Sequence, residues 1–115
     1  MRQWRTMAVS MQFIETSIFT RQVTALLKDE EYREMQIALS VHPESGAIIP
    51  RTGGLRKIRW SITGRGKRGG VRAIYYWVVA KDQILMLFMY SKNEKDDLTP
   101  TQLKVLREVV EKEFK

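Results

Sequence analysis

The spacing of apolar and polar residues changes several times along this chain, and each change marks an element. Gln12-Phe13-Ile14-Glu15, entered from Met11, reads as a short strand. Thr16 or Ser17 can then cap a helix by accepting a backbone N–H bond. Ile18, Phe19, Val23, Leu26 and Leu27 follow at helical spacing. Lys28-Asp29-Glu30-Glu31 breaks that pattern and opens another, because acids in a first turn suit the positive end of a helix. Tyr32, Met35, Ile37, Ala38 and Leu39 give this second helix its apolar face, which His42-Pro43 closes. The two helices are expected to form a hairpin against a sheet.

Residues 43–54 hold two prolines and three glycines and read as loop. Strict alternation then begins. Leu55, Lys57, Arg59 and Ser61 share one face of a strand, with Arg56, Ile58 and Trp60 on the other. Ile58 and Trp60 mark the core side, so Lys57 and Arg59 point together away from it. After a glycine-rich connector, Val71 to Val79 is rich in β-branched and aromatic residues and makes the next strand. Asp82-Gln83 turns the chain, and Ile84 to Tyr90 completes a meander. Thr99-Pro100-Thr101-Gln102 is a capping-box pattern with proline at the first helical position. Leu103, Leu106, Val109, Val110 and Phe114 form the buried stripe of that last helix. The expected order is β-α-α-β-β-β-α, an α+β fold with an antiparallel sheet. Residues 1–9 are treated as a poorly specified tail and 10–115 as one domain, in keeping with the 115-residue length.

Charge sharpens this picture. Between Glu44 and Asp82 lie nine basic residues, all seven glycines and no acid. The remaining 11 basic and 13 acidic residues sum to −2, so the formal +7 is one localised field. Such a field, set on short strands and a glycine loop, is the footprint of a phosphate-backbone partner, nucleic acid first. An anionic membrane attracts the same charges. Here, though, they fall on strands and a loop instead of one amphipathic helix, and no apolar run reaches the ~20 residues of a span. No membrane partner is expected. The absence of cysteine excludes disulfides and thiolate metal sites and suits a cytoplasmic protein.

Lys57, Arg59 and Arg72 are the constellation that could carry chemistry. The first two leave one face of a strand, and Arg72 sits one position into its partner across the basic connector. Normal hairpin pairing would bring the three together. A phosphodiester gains negative charge in its pentacovalent transition state, which such a cluster would stabilise. An edge hairpin kept soluble by lysine and arginine gives the same pattern. Arg65, Lys67 and Arg68 in the connector, with Arg56, are candidates to hold RNA backbone, and Tyr90 to stack on bases. The connector has no Walker spacing and no helix after it. His42 is the only histidine, which excludes a two-histidine nuclease and any multi-histidine metal centre. Glu94, Asp96 and Asp97 could hold Mg²⁺, but read better as leading the last helix and offsetting Lys92 and Lys95. No cofactor is expected.

The run GGLRKIRWSITGRGKRGGVRAIYYW, followed by LMLFMYSKNEKDDLT, resembles the RelE-type ribosome-dependent mRNA endonuclease toxins, in particular their HigB-like branch. The likeness spans roughly residues 11 to 110. It implies a compact RelE-like fold, cleavage of mRNA in the ribosomal A site without a metal, and neutralisation by a cognate helical DNA-binding antitoxin. In the RelE pattern Lys57 matches the first of two strand lysines, Arg59 replaces the second, and Arg72 matches the arginine of the next strand. The late arginine aligns with Asn93 and the late tyrosine near Thr99. An arginine is always protonated and makes a poor base, and Asn93 is no acid, so the cationic roles carry over better than proton transfer. On this resemblance Lys57 and Arg72 stabilise the transition state, Arg59 holds phosphate, and Lys92, beside Asn93, is a candidate for acid–base work. The competing readings are a non-catalytic binder of RNA or ribosomes using the same basic face, and a toxin relic that only engages its antitoxin.

Overall fold

The computed structural model describes residues 3–5, 11–62, 70–92, 94 and 97–114. Among these residues six strands and three helices follow one another as β1 (Gln3–Arg5), β2 (Gln12–Glu15), α1 (Ser17–Leu26), α2 (Asp29–Val41), β3 (Ala47–Ile48), β4 (Arg56–Trp60), β5 (Val71–Val78), β6 (Gln83–Ser91) and α3 (Pro100–Phe114). The expected β-α-α-β-β-β-α core is present, with a short strand added at each edge. The sheet order is β1-β2-β6-β5-β4-β3. Every pair is antiparallel except β2 with β6, which is parallel. The segment read as a tail contains β1, which pairs antiparallel with β2.

Local chemistry sets the boundaries where the sequence places them. Thr16 accepts from the backbone N–H of Phe19 at 3.1 Å and caps α1. Its hydroxyl also donates to the Leu87 carbonyl at 2.9 Å, tying the cap to β6. Thr99 and Gln102 exchange reciprocal bonds of 2.8 and 3.1 Å at the start of α3. Asp82 takes a left-handed conformation, φ 51°, to turn β5 back as β6 after a 3-10 turn at Val79–Lys81.

The sheet is covered on both faces. Phe13, Ile58, Ala73, Tyr75, Ile84 and Met86 meet Phe19 and Val23 of α1 and Tyr32, Met35 and Leu39 of α2. On the other face Leu55, Ile74, Leu85 and Leu87 meet Leu106 and Val110 of α3, with Leu103 and Val109 partly buried beside them. The Phe114 side chain lies outside what is described. In α2 the expected apolar face is rotated. Gln36 and Ser40 are buried, and Ile37 is 47% exposed. Positions 32, 35, 36 and 39 follow the 3.6-residue stripe more closely than 37 does, so geometry overrides hydrophobicity there.

Two buried polar groups fasten the helical face. Glu15 is fully buried and accepts from Thr20 Oγ1 at 2.7 Å and Tyr32 Oη at 2.6 Å, joining β2, α1 and α2. Tyr75 donates to the Pro43 carbonyl at 2.7 Å and accepts from the Gly46 N–H at 2.8 Å. A Cβ on Gly46 would stand 2.7 Å from the Tyr75 ring, so only glycine permits this approach. Burial pushes the Tyr75 phenol above its ordinary value, and it stays a donor. Tyr75→Phe leaves a buried carbonyl and N–H without this partner, and should cost about 1–3 kcal/mol. The measurement is a lower urea midpoint at unchanged denaturant slope.

Candidate active site

The site is built on the α3 face of β4 and β5, beside the start of the helix, whose Leu103 lines the same cleft. Lys57 and Arg59 alternate with buried Ile58 and so leave the face opposite α1 and α2. Arg59 pairs with Arg72 across β4 and β5, and Arg72 with Tyr90 across β5 and β6. Arg59, Arg72 and Tyr90 thus form one row over three strands, with Lys57 in the next row opposite Ile74. The expected gathering of Lys57, Arg59 and Arg72 on one sheet face is what the strands produce.

Lys92 joins them from the end of β6. Its backbone N–H donates to the Gly70 carbonyl at 3.1 Å, closing β5 onto β6. A Cβ at Gly70 would meet Arg72 Nη1 at 3.7 Å and Lys92 Cδ at 3.8 Å, so the two cationic side chains reach over the same point.

An open cleft of roughly 400 Å³ runs along this face, bounded by Lys57, Arg59, Tyr90, Asp97, Leu98 and the Ile49-Pro50 turn. Tyr90 is only 2% exposed. Its ring is a wall of the cleft and not an open stacking platform. Arg56 is not brought here. Its guanidinium donates to the carbonyls of Glu44 and Gly46 at 3.1 and 2.8 Å, bracing the loop before β3. Arg65, Lys67, Arg68 and Asn93 lie outside the described residues. His42 caps α2 with Nδ1 3.4 Å from Glu44 Oε1 and does not line the cleft.

The loop from β6 to α3 contributes a carboxylate to the cleft, where the pattern of charges predicts a counterion for Lys92 and Lys95. Asp97 makes an ion pair with Lys57. The hydrogen bond from Lys57, then its charge, then smaller pulls from Arg59 and Arg72 hold the Asp97 carboxyl below the usual carboxylate range, outweighing slight desolvation. Leu98, buried beside Ile74 and Leu55, anchors the loop. The signal was present: Leu98 needs the α3 face, and its neighbour Asp97 is thereby delivered to the face Lys57 occupies. Among the described residues no three His, Cys, Asp or Glu side chains gather to hold a metal ion.

A brace from α3 fixes the entry to β4. Gly53 has φ 72°, and its carbonyl accepts from Arg107 Nη1 at 3.1 Å. The Arg107 guanidinium lies 5.6 Å from the centre of the Tyr76 ring, and its Nε donates to Glu111 at 3.2 Å. A cation held on both an aromatic face and a backbone carbonyl fixes the turn from which Lys57 and Arg59 emerge.

A family model of the RelE toxin of the RelE/RelB toxin–antitoxin system matches residues 11–115. The chain belongs to the RelE toxin family. Its fold agrees with that assignment: a mixed sheet covered by two helices on one face and one on the other. As a member it is a toxin of a toxin–antitoxin system. No helix among the described residues of this RelE toxin is long and apolar enough to cross a membrane.

The electrostatics of Asp97 can be checked by titration. Its carboxyl signal should titrate below the ordinary aspartate value of about 3.9, and Lys57→Met should move the midpoint upward. The linkage sign follows: the folded-state value is depressed, so the pair's contribution is present above the unfolded value and is lost as pH falls through the folded one.

Proposed function

We propose that this RelE toxin is a metal-independent endoribonuclease of the HigB-like branch, cutting mRNA in the ribosomal A site and so halting translation. The observation that carries the reading is the pairing of Arg59 with Arg72 across β4 and β5, with Arg59 and Lys57 lining an open cleft. Like charges opposite one another on a sheet repel. An anionic substrate seated between them removes that cost, and a transition state that gains charge removes more. In this scheme Arg72 and Lys57 stabilise the pentacovalent phosphorus and Arg59 holds the phosphate. In the same scheme Lys92, whose side chain passes over Gly70 beside Arg72, gives a proton to the leaving 5′-oxygen. Arg65, Lys67 and Arg68 remain candidates for contacts along the message, and Asn93 for a place in the catalytic set beside Lys92.

Partners follow from the same reading: mRNA on the ribosome, and a cognate antitoxin whose acidic or apolar segment covers the basic face, with attraction speeding association. A non-catalytic binder would use that face equally well, and the two separate on cleavage.

Arg72→Ala should lower cleavage of messages on translating ribosomes by about 100-fold or more, the usual cost of one transition-state donor. Near wild-type cutting would dispose of the assignment, and binding without cutting by the wild type would favour the binder. Binding of single-stranded RNA should also fall with salt. Three phosphate contacts at about 0.7 each give a log–log slope near −2. A flat response would remove the basic face from RNA recognition.

A further inference from the structure

The site as described has an abundance of cations and one conspicuous gap, a group to take the proton from the attacking 2′-OH. Arg59 and Arg72 are permanently protonated. Lys57 is engaged as a donor in its ion pair. Tyr90 is buried, and His42 is away from the cleft. Among the described residues that line the cleft, Asp97 is the one carboxylate.

We infer that Asp97 is the general base of the reaction, a role resting on the nuclease reading above. The geometry is asymmetric in the way the role demands. The Lys57 side chain is 18% exposed and sunk into the cleft wall, whereas the Asp97 side chain is 71% exposed and faces the solvent from which RNA arrives. Exposed ion pairs add little stability, so folding gives small reason to hold a carboxylate among three cations. A base bound to the same ammonium that contacts the phosphate lies within a few ångströms of the adjacent ribose hydroxyl, the reach that general-base catalysis requires.

The step balances. The 2′-OH proton passes to the Asp97 carboxylate, the 2′-oxygen forms a bond to phosphorus, and the bond from phosphorus to the 5′-oxygen breaks. That oxygen takes a proton from Lys92, leaving a 2′,3′-cyclic phosphate and a 5′-hydroxyl. Asp97 then returns its proton to solvent, and Lys92 regains one from it, so both groups are reset. The cations that acidify Asp97 in the free protein are shared with the phosphate once RNA is seated. The incoming anion thus makes the carboxylate more basic as it is needed.

The test uses single-turnover cleavage on programmed ribosomes, with the full-length protein. Asp97→Asn keeps the shape and removes the base, and should slow cutting by about 100-fold or more. Its binding to ribosomes carrying a message with a 2′-deoxy nucleotide at the scissile position should be undiminished. Asp97→Ala should regain activity with added formate and not with chloride at equal ionic strength. Wild-type cleavage by Asp97→Asn would overturn the inference and leave the nuclease reading intact. Lost binding without formate rescue would make Asp97 structural and overturn it too. A wild-type protein that cuts nothing on the same ribosomes would overturn both.

Discussion

Two guanidinium groups stand opposite each other on the sheet, Arg59 on β4 and Arg72 on β5, and nothing about that pairing favours itself. It is held by register, and register is held by burial on both faces. Ile58 and Ala73, paired across the same strands, are buried against α1 and α2, while Leu55 and Ile74 are buried against α3. A slip of one residue would drive Lys57 and Arg59 into the helical core and Ile58 out of it. Burying unpaired charge costs far more than repulsion between two solvated guanidiniums. The core therefore imposes the cation cluster, and the cluster's own repulsion stands available to an anion that relieves it.

Much of this was legible because alternation and capping are local. The 55–61 alternation put Lys57 and Arg59 on the face opposite Ile58, as in the structure, although Leu55 and Ile74 make that face a second core under α3. Thr16, one of two caps expected for α1, and Thr99 cap their helices. The edges were not legible. β3 is two residues long with both side chains exposed, too short to leave a period, and it exists only because β4 offers it a partner. Nor did spacing reveal that Arg56 would be spent on the carbonyls of Glu44 and Gly46, because that depends on how the preceding loop folds back. Asp97 was misplaced for a related reason. Near Lys92 and Lys95 in sequence, it looked like their counterion, but Leu98 draws it across the sheet to Lys57.

On the proposed reading, arginine at position 59, where the resemblance to the RelE pattern implies a lysine, changes how the labour of the site is divided. A lysine can hold phosphate in one state and accept a proton in another. An arginine can only hold. On the proposed reading the strands supply a fixed positive field, and the proton-accepting duty moves to a loop. That separation suits the materials: strands locked by two-sided burial keep charge in place, and an exposed carboxylate on a connecting loop can adjust to the ribose it must reach.

One irregularity completes the arrangement. Between Ile74 and Tyr75 the pairing with β6 shifts, so that Ile74 faces Phe88 while Tyr75 faces Met86 and Leu87 is left over. Without that extra residue, simple alternation from Leu85 would send Phe88 and Tyr90 to the α1 side and Met89 to the α3 side. With it, Met89 packs into the helical core, and Tyr90 lands beside Arg72 as a wall of the cleft. The run Leu85-Met86-Leu87-Phe88-Met89 hides this switch, since every residue in it can be buried on either face. A bulge of this kind re-aims side chains without breaking the sheet. Here it brings the end of β6, with Lys92 just beyond, to the face where Lys57, Arg59 and Arg72 already stand.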